Sequence, residues 1–366
     1  MGGSQGRSGQ KGERIIRRGP VSPEAGQNAR MTHTPLIELF RGGTLECQHF
    51  GSVAVVNTQG RLLAHAGDPQ WLTFSRSTLK ALQALPFMEA GGHRQFGFSP
   101  EQIAMLCASH NGEDMHVAQA EAMLAQAGLD YKALRCGCHV PGLFSLLETA
   151  PPAGLVYDER HHNCSGKHAG FLAYCVQHGL SLHDYTEPSH PLQQAVRRDV
   201  ARATGMAPED LKMGIDGCSA PNYALPLSKL ALGYARLASG AADAEFGQSF
   251  ATLSDAMTTH PEMVSGTGRS DLAFMHIGRG DWVTKIGADG VQVVGSKSRG
   301  EAFALKIIDA NKTALYAATV EVLDQLGWLD ASQREALQPW RAQPILNARG
   351  MLVGERRPAF RLQGRE

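Results

Sequence analysis

Three short pieces of this 366-residue chain carry residue types that together can do acyl-transfer chemistry. They are Ser77-Thr78-Leu79-Lys80, Ser109-His110-Asn111 and Lys285-Ile286-Gly287, in that order. A lone S-x-x-K tetrad turns up by chance in most chains of this length. The ordered trio matches the S-x-x-K, S-x-N and K-x-G pattern of enzymes in which lysine, not histidine, is the base for a nucleophilic serine. A serine hydroxyl is a poor nucleophile until a neighbour takes its proton. Lysine can do that only when neutral, so burial or a second cation must lower it from its ordinary pKa of about 10.4. Lys285 is the candidate second cation.

Residues three apart share a helix face, so Ser77 and Lys80 can meet if a helix begins near Ser77. The stretch 79–90 is rich in helix formers and is stopped by Gly91-Gly92, while Pro86 implies a kink or an early end. Ser99-Pro100-Glu101-Gln102 reads as a capped helix start, with Gln102 closing a capping box. The apolar run 103–107 then forms a short buried helix ending at Ala108, and Ser109-His110-Asn111-Gly112 makes a turn. Ser109, near a Ser–Lys pair, can relay a proton to a leaving amine. His110 is better read as part of a capped loop.

A second constellation lies mid-chain. It reads Arg160-His161-His162-Asn163-Cys164-Ser165-Gly166-Lys167-His168, then Asp216-Gly217-Cys218-Ser219-Ala220-Pro221. Gly166-Lys167 is not a phosphate loop, because the upstream glycine is missing and His168 stands in place of Ser or Thr. Two cysteines with nearby His and Asp can form a metal site, with zinc the metal that thiolates favour. Their spacing is that of no zinc finger. The plainer reading is two buried thiols beside tight glycine turns.

Together with Gly-Thr-Gly-Arg-Ser-Asp at 266–271 and the segment 285–290, these motifs resemble the asparaginase II family, the thermolabile, Rhizobium-type L-asparaginases. The likeness runs from about residue 35 to 358. It implies an amidohydrolase turning L-asparagine into L-aspartate and ammonia, on an α+β scaffold like that of the serine β-lactamases and penicillin-binding proteins. It also implies catalytic pairs Ser77–Lys80 and Ser109–Lys285, and a zinc ion held by Cys164, Lys167 and Cys218, with His168 and Asp216 close by. L-asparagine as small-molecule partner and a homodimer follow from the same likeness. Two departures stand out: Cys138 where the family would carry proline, and Asp289 where glutamate is commoner. Asparagine's α-carboxylate needs a cation, Arg76 or Arg269, and its α-ammonium an anion, Asp216 or Asp271. Asn111 and His168 complete the candidate substrate contacts. An Arg269–Asp271 ion pair is the competing structural reading.

Composition fits a large folded enzyme, with 43% hydrophobic residues and 35 basic side chains against 35 acidic. The first 30 residues hold six basic and two acidic side chains and lack an apolar core, so they are not a secretory signal. Residues 1–31 are expected to be a disordered basic tail and 32–366 the catalytic domain. The remainder is slightly acidic, which argues against nucleic-acid binding. No run of about 18 apolar residues exists to span a membrane. Seven cysteines read as reduced thiols in a cytoplasm.

The segments 44–57 and 61–66 suggest a hairpin, and strands return at 282–286, 291–294 and 303–308 before a helix at 313–326. Helices at 115–127, 167–178, 192–204 and 227–238 fill the middle. Strands at both ends around a helical middle suggest one antiparallel sheet, with Lys285 on an edge strand. The competing functions are a cytoplasmic glutaminase, another Ser–Lys hydrolase of the penicillin-recognising type, and a non-catalytic zinc-binding protein. The missing export signal counts against the second.

Overall fold

The apolar runs near the two ends of the chain find one another in a single sheet. The computed structural model describes residues 32–341 and 344–364. The expected basic tail 1–31 lies outside the described residues. The strands are β1 (Thr34–Arg41), β2 (Thr44–Asn57), β3 (Leu62–Ala66), β4 (Leu72–Phe74), β5 (Lys212–Ile215), β6 (Pro221–Pro226), β7 (Trp282–Gly287), β8 (Val291–Ser296), β9 (Glu301–Ile307), β10 (Ile345–Leu346) and β11 (Leu352–Pro358). The large sheet runs β10-β11-β1-β2-β9-β8-β7, with β3 also paired to β2, and all its ladders are antiparallel. The fold is α+β. A second sheet, β4-β6-β5, was not legible in the sequence. Its strands have only three, four and six residues, and proline stands at both ends of the longest.

The second half of β2 and strands β7, β8 and β9 are buried on both faces, so they do not read as a clean alternation of apolar and polar residues. On β2, Ala54 and Val56 pack into the helical body, while Val53 and Val55 face the opposite core with Leu315 and Val322 of helix Lys312–Gln325. On β7, Val283 belongs to the helical body and Trp282 and Ile286 to the other core. Side chains alternate along a strand, so Lys285 shares the face of Val283. β7 is the last strand in the order, and this sets Lys285 on an edge strand pointing at the helical body.

The helical body forms much as its capping chemistry dictates. A turn at Arg76–Leu79 leads into helices Lys80–Gln83 and Leu85–Glu89, with the break just ahead of Pro86. Helix Pro100–Leu106 carries the Ser99–Gln102 capping box. Helices Asp114–Gln126, Ser165–Gln177, Pro191–Thr204 and Leu227–Ser239 follow. Helix Gly247–Thr259 went unforeseen because its Ser and Thr residues favour caps and turns. Helix Ser165–Gln177 crosses Pro100–Leu106 closely: a Cβ at Gly166 would lie 2.3 Å from the Met105 carbonyl oxygen. That contact explains Gly166 without any phosphate. It also brings the loop after one helix against the loop before the other, with the His110 N–H bonded to Asn163 O at 3.3 Å. No helix among the described residues is long and apolar enough to cross a membrane.

Candidate active site

Ser77 sits in the turn where β4 gives way to helix. It is partly exposed, and among the described residues its hydroxyl has no hydrogen-bond partner. The turn is held from several sides. Thr78 Oγ1 donates to Ser75 O at 2.6 Å, and Tyr234 OH donates to Thr78 O at 2.9 Å. The end of β7 presses on it as well, since a Cβ at Gly287 would lie 2.9 Å from Ser75 O. The glycine of the K-x-G piece is therefore a close-approach residue.

Lys80 is buried and its Nζ bonds to Ser109 Oγ at 2.9 Å, to Asn163 O at 3.3 Å and to Ala108 O. The hydrogen bonds thus join Lys80 to Ser109, not to Ser77 as the helix spacing suggested. Ser109 is itself buried, with its N–H on Val264 O at 2.8 Å.

Lys285 Nζ donates to Asp271 Oδ2 at 2.9 Å and to Ile286 O at 3.1 Å, with both side chains fully buried. The structure therefore pairs Lys285 with Asp271, where the sequence reading paired it with Ser109. Burial pushes Lys285 down to about 8, against the charge of Asp271 and with help from that of Lys80. Burial alone would raise Asp271, but the Lys285 charge and the Ile286 N–H outweigh it and hold the carboxyl below its usual range. Asp271 also accepts from Thr284 Oγ1 at 3.1 Å. Its oxygens are committed to the protein.

The other substrate-binding candidates separate by their partners. Arg76 is engaged twice: Nε bonds to Asp216 Oδ1 at 3.0 Å, and its other end pairs with Asp289. Arg76 and Asp216 thus serve each other. Arg269 has no ion pair or hydrogen bond to its guanidinium among the described residues, so the competing Arg269–Asp271 pair does not form. Asn111 Nδ2 donates to Thr267 O at 2.9 Å and to Glu113 Oε1 at 3.2 Å, while its buried Oδ1 has no partner. His110 accepts from Gly112 N at Nδ1 and donates from Nε2 to Ser165 Oγ at 2.9 Å, a loop-bracing role. A cavity of about 520 Å³ opens beside Gly112 and Glu113, and one of about 430 Å³ beside Arg76 and Asp216. Ser77, Lys80 and Ser109 line neither, so the hydrogen bonds, and not a cavity, mark this site.

The L-asparaginase II family model matches residues 37–358 of the chain. The chain belongs to the L-asparaginase II family. No curated protein matches it.

Cys164, Lys167 and Cys218 lie together. Lys167 Nζ lies 3.0 Å from Cys218 Sγ, and the Cys164 thiol donates toward the same sulfur. That bond and the Lys167 charge hold Cys218 far below the usual thiol range despite burial, while Cys164 is pushed up by its bond to Cys218 and by burial. Burial opposes the Lys167 charge, but the two sulfurs outweigh it and keep the amine protonated. His168 bonds Tyr185 OH at 2.8 Å through Nδ1, and its buried Nε2, without a full hydrogen bond, faces Cys218. Two sulfurs, an amine and an orphaned imidazole nitrogen are donors that suit zinc. Among the described residues no three His, Cys, Asp or Glu side chains stand together as a metal site, so a metal here needs Lys167 as third donor. All seven cysteines are free thiols.

Sequence reasoning missed Asn222, Tyr234 and Glu113, which brace the turn and Asn111. Asn222 directly follows the Asp-Gly-Cys-Ser-Ala-Pro motif, the one signal that pointed near it.

Proposed function

We propose that this L-asparaginase II protein hydrolyses the side-chain amide of L-asparagine to L-aspartate and ammonia through a serine ester. The observation that carries the reading is the buried Lys80 amine on Ser109 Oγ at 2.9 Å, one helical turn from the uncommitted hydroxyl of Ser77. Ser77 Oγ attacks the amide carbon and its proton passes to a neutral amine of the Lys80–Lys285 pair. The oxyanion collapses, the C–N bond breaks, and Ser109 passes a proton from Lys80 to the departing nitrogen, which leaves as ammonia. Water, deprotonated by the same amine, then cleaves the ester and restores Ser77. Each lysine is a base only when neutral, a form that deep burial favours for Lys285.

Arg269, with no hydrogen bond or ion pair to its guanidinium among the described residues, suits the α-carboxylate, and the Asn111 Oδ1, without a hydrogen-bond partner among them, suits the α-ammonium. Cys164, Lys167 and Cys218 would hold a zinc ion, which when bound supplies a Lewis-acidic centre that orders the substrate. Nucleophile and base remain with the serines and lysines.

The test is ammonia release from L-asparagine and L-glutamine, and ring opening of a β-lactam, by the purified protein. Turnover of L-asparagine is expected to exceed that of the others. Turnover of the β-lactam alone would replace this reading with a penicillin-type hydrolase. No turnover of any of the three, with zinc retained, would leave a binding protein.

A further inference from the structure

Arg76, the residue before Ser77, has φ +50°, in the left-handed region that a residue with a Cβ seldom adopts without support. One side chain supplies that support. Asn222 Oδ1 accepts from the Arg76 N–H at 3.0 Å, and Asn222 Nδ2 donates to the Arg76 carbonyl at 3.0 Å. The same Oδ1 accepts from Ser75 Oγ at 3.3 Å, and Asn222 is 2% exposed.

The strand register explains this clasp. The β4–β6 ladder pairs Phe74 with Ala224, and the Ser75 N–H continues it onto Tyr223 O at 3.1 Å. One residue further on, the chain has turned toward the helix and the backbone ladder stops. The Asn222 amide takes over there, because it carries the donor and the acceptor that a two-point grip on one residue needs. The ion pairs of the Arg76 guanidinium hold the far end of the side chain and leave the peptide to Asn222.

We propose that Asn222 is a positioning residue for Ser77: it holds Arg76 left-handed and thereby aims the Ser77 hydroxyl at the substrate amide. The inference rests on Ser77 being the nucleophile.

The experiment measures kcat and KM for L-asparagine, with thermal unfolding, for Asn222→Ala and Asn222→Asp in the wild-type and Arg76→Gly backgrounds, beside Ser77→Ala. Asn222→Ala should lower kcat about 100-fold with KM within about threefold, as for a misaimed reacting group. Asn222→Asp keeps the acceptor but faces the Arg76 carbonyl with an oxygen, and should lose about tenfold or more. Glycine adopts the left-handed region freely. Asn222→Ala should therefore cost about tenfold less beside Arg76→Gly than beside Arg76, a coupling that a plain packing role would not produce. Retention of more than half of kcat, or an equal cost in both backgrounds, overturns the proposal. If Asn222→Ala does not fold, Asn222→Asp in the two backgrounds decides by the same criterion. An active Ser77→Ala removes the nucleophile and this inference together, whereas an inactive Ser77→Ala with unaffected Asn222 variants removes this inference alone.

Discussion

Ser77 and Ser109 compete for the nucleophile's role, and accessibility separates them. Ser109 is 3% exposed and already bonded to Lys80, whereas Ser77 is partly open and unbonded. Ser77→Ala should therefore lose turnover by about 1,000-fold or more. If it keeps a tenth of wild-type kcat while Ser109→Ala is dead, the two serines exchange roles. Lys285 gives the second prediction at this scale. Its amine is lowered from 10.5 to about 8, so it is an ammonium below that pH and neutral above it. If the neutral amine accepts the proton, kcat/KM climbs as pH rises through about 8 and then levels. Lys285→Arg, which cannot shed its proton there, should lack this limb. A rate that falls across the same window would make the ammonium the working form.

At the scale of elements, the segment from Gly266 to Asp271 bears on both proposed substrate contacts, carrying Arg269 and bracing Asn111. Thr267 O fixes the Asn111 amide, and Arg269 stands at the N-cap of helix Ser270–Ile277. Arg269→Met should raise KM for L-asparagine about tenfold or more while kcat changes less, because a charged partner of the α-carboxylate is lost. Asparagine amidated at that carboxylate should be a correspondingly poor substrate. Equal turnover of the two compounds would take Arg269 out of the site. Helix starts and stops in this region were legible because caps are local: Ser99 and Gln102 lie three residues apart. The lysine partners were not. Lys80 meets Ser109 across 29 positions, one from the start of helix Lys80–Gln83 and the other from the loop after helix Pro100–Leu106. Spacing along one helix sees none of that. The three-stranded sheet escaped for a related reason, since strands this short carry too few residues to show a period.

The whole molecule draws its site from distant stretches of chain. Ser77 comes from the end of β4, Lys285 from the edge of the large sheet, and Cys218 from the turn between β5 and β6. The apolar runs of β2, β8 and β9 made the sheet predictable, but the joining of the helical body to the small sheet was not. The sulfur cluster lies at that join. Cys164 and Lys167 stand at the start of helix Ser165–Gln177, and Cys218 reaches them from the other element. A zinc ion there would tie two elements that meet at Cys218 through Lys167, the Cys164 thiol and His168, so binding should stabilise the native state by mass action. Protein purified without chelator should carry about one zinc per chain, and Cys218→Ser should carry none. Chelation should lower the wild-type melting temperature by about 3 °C or more and leave Cys218→Ser unmoved. If the metal is absent from fresh protein, or if stripping shifts both proteins equally, the cluster is a buried thiolate–ammonium pair that holds the join by itself.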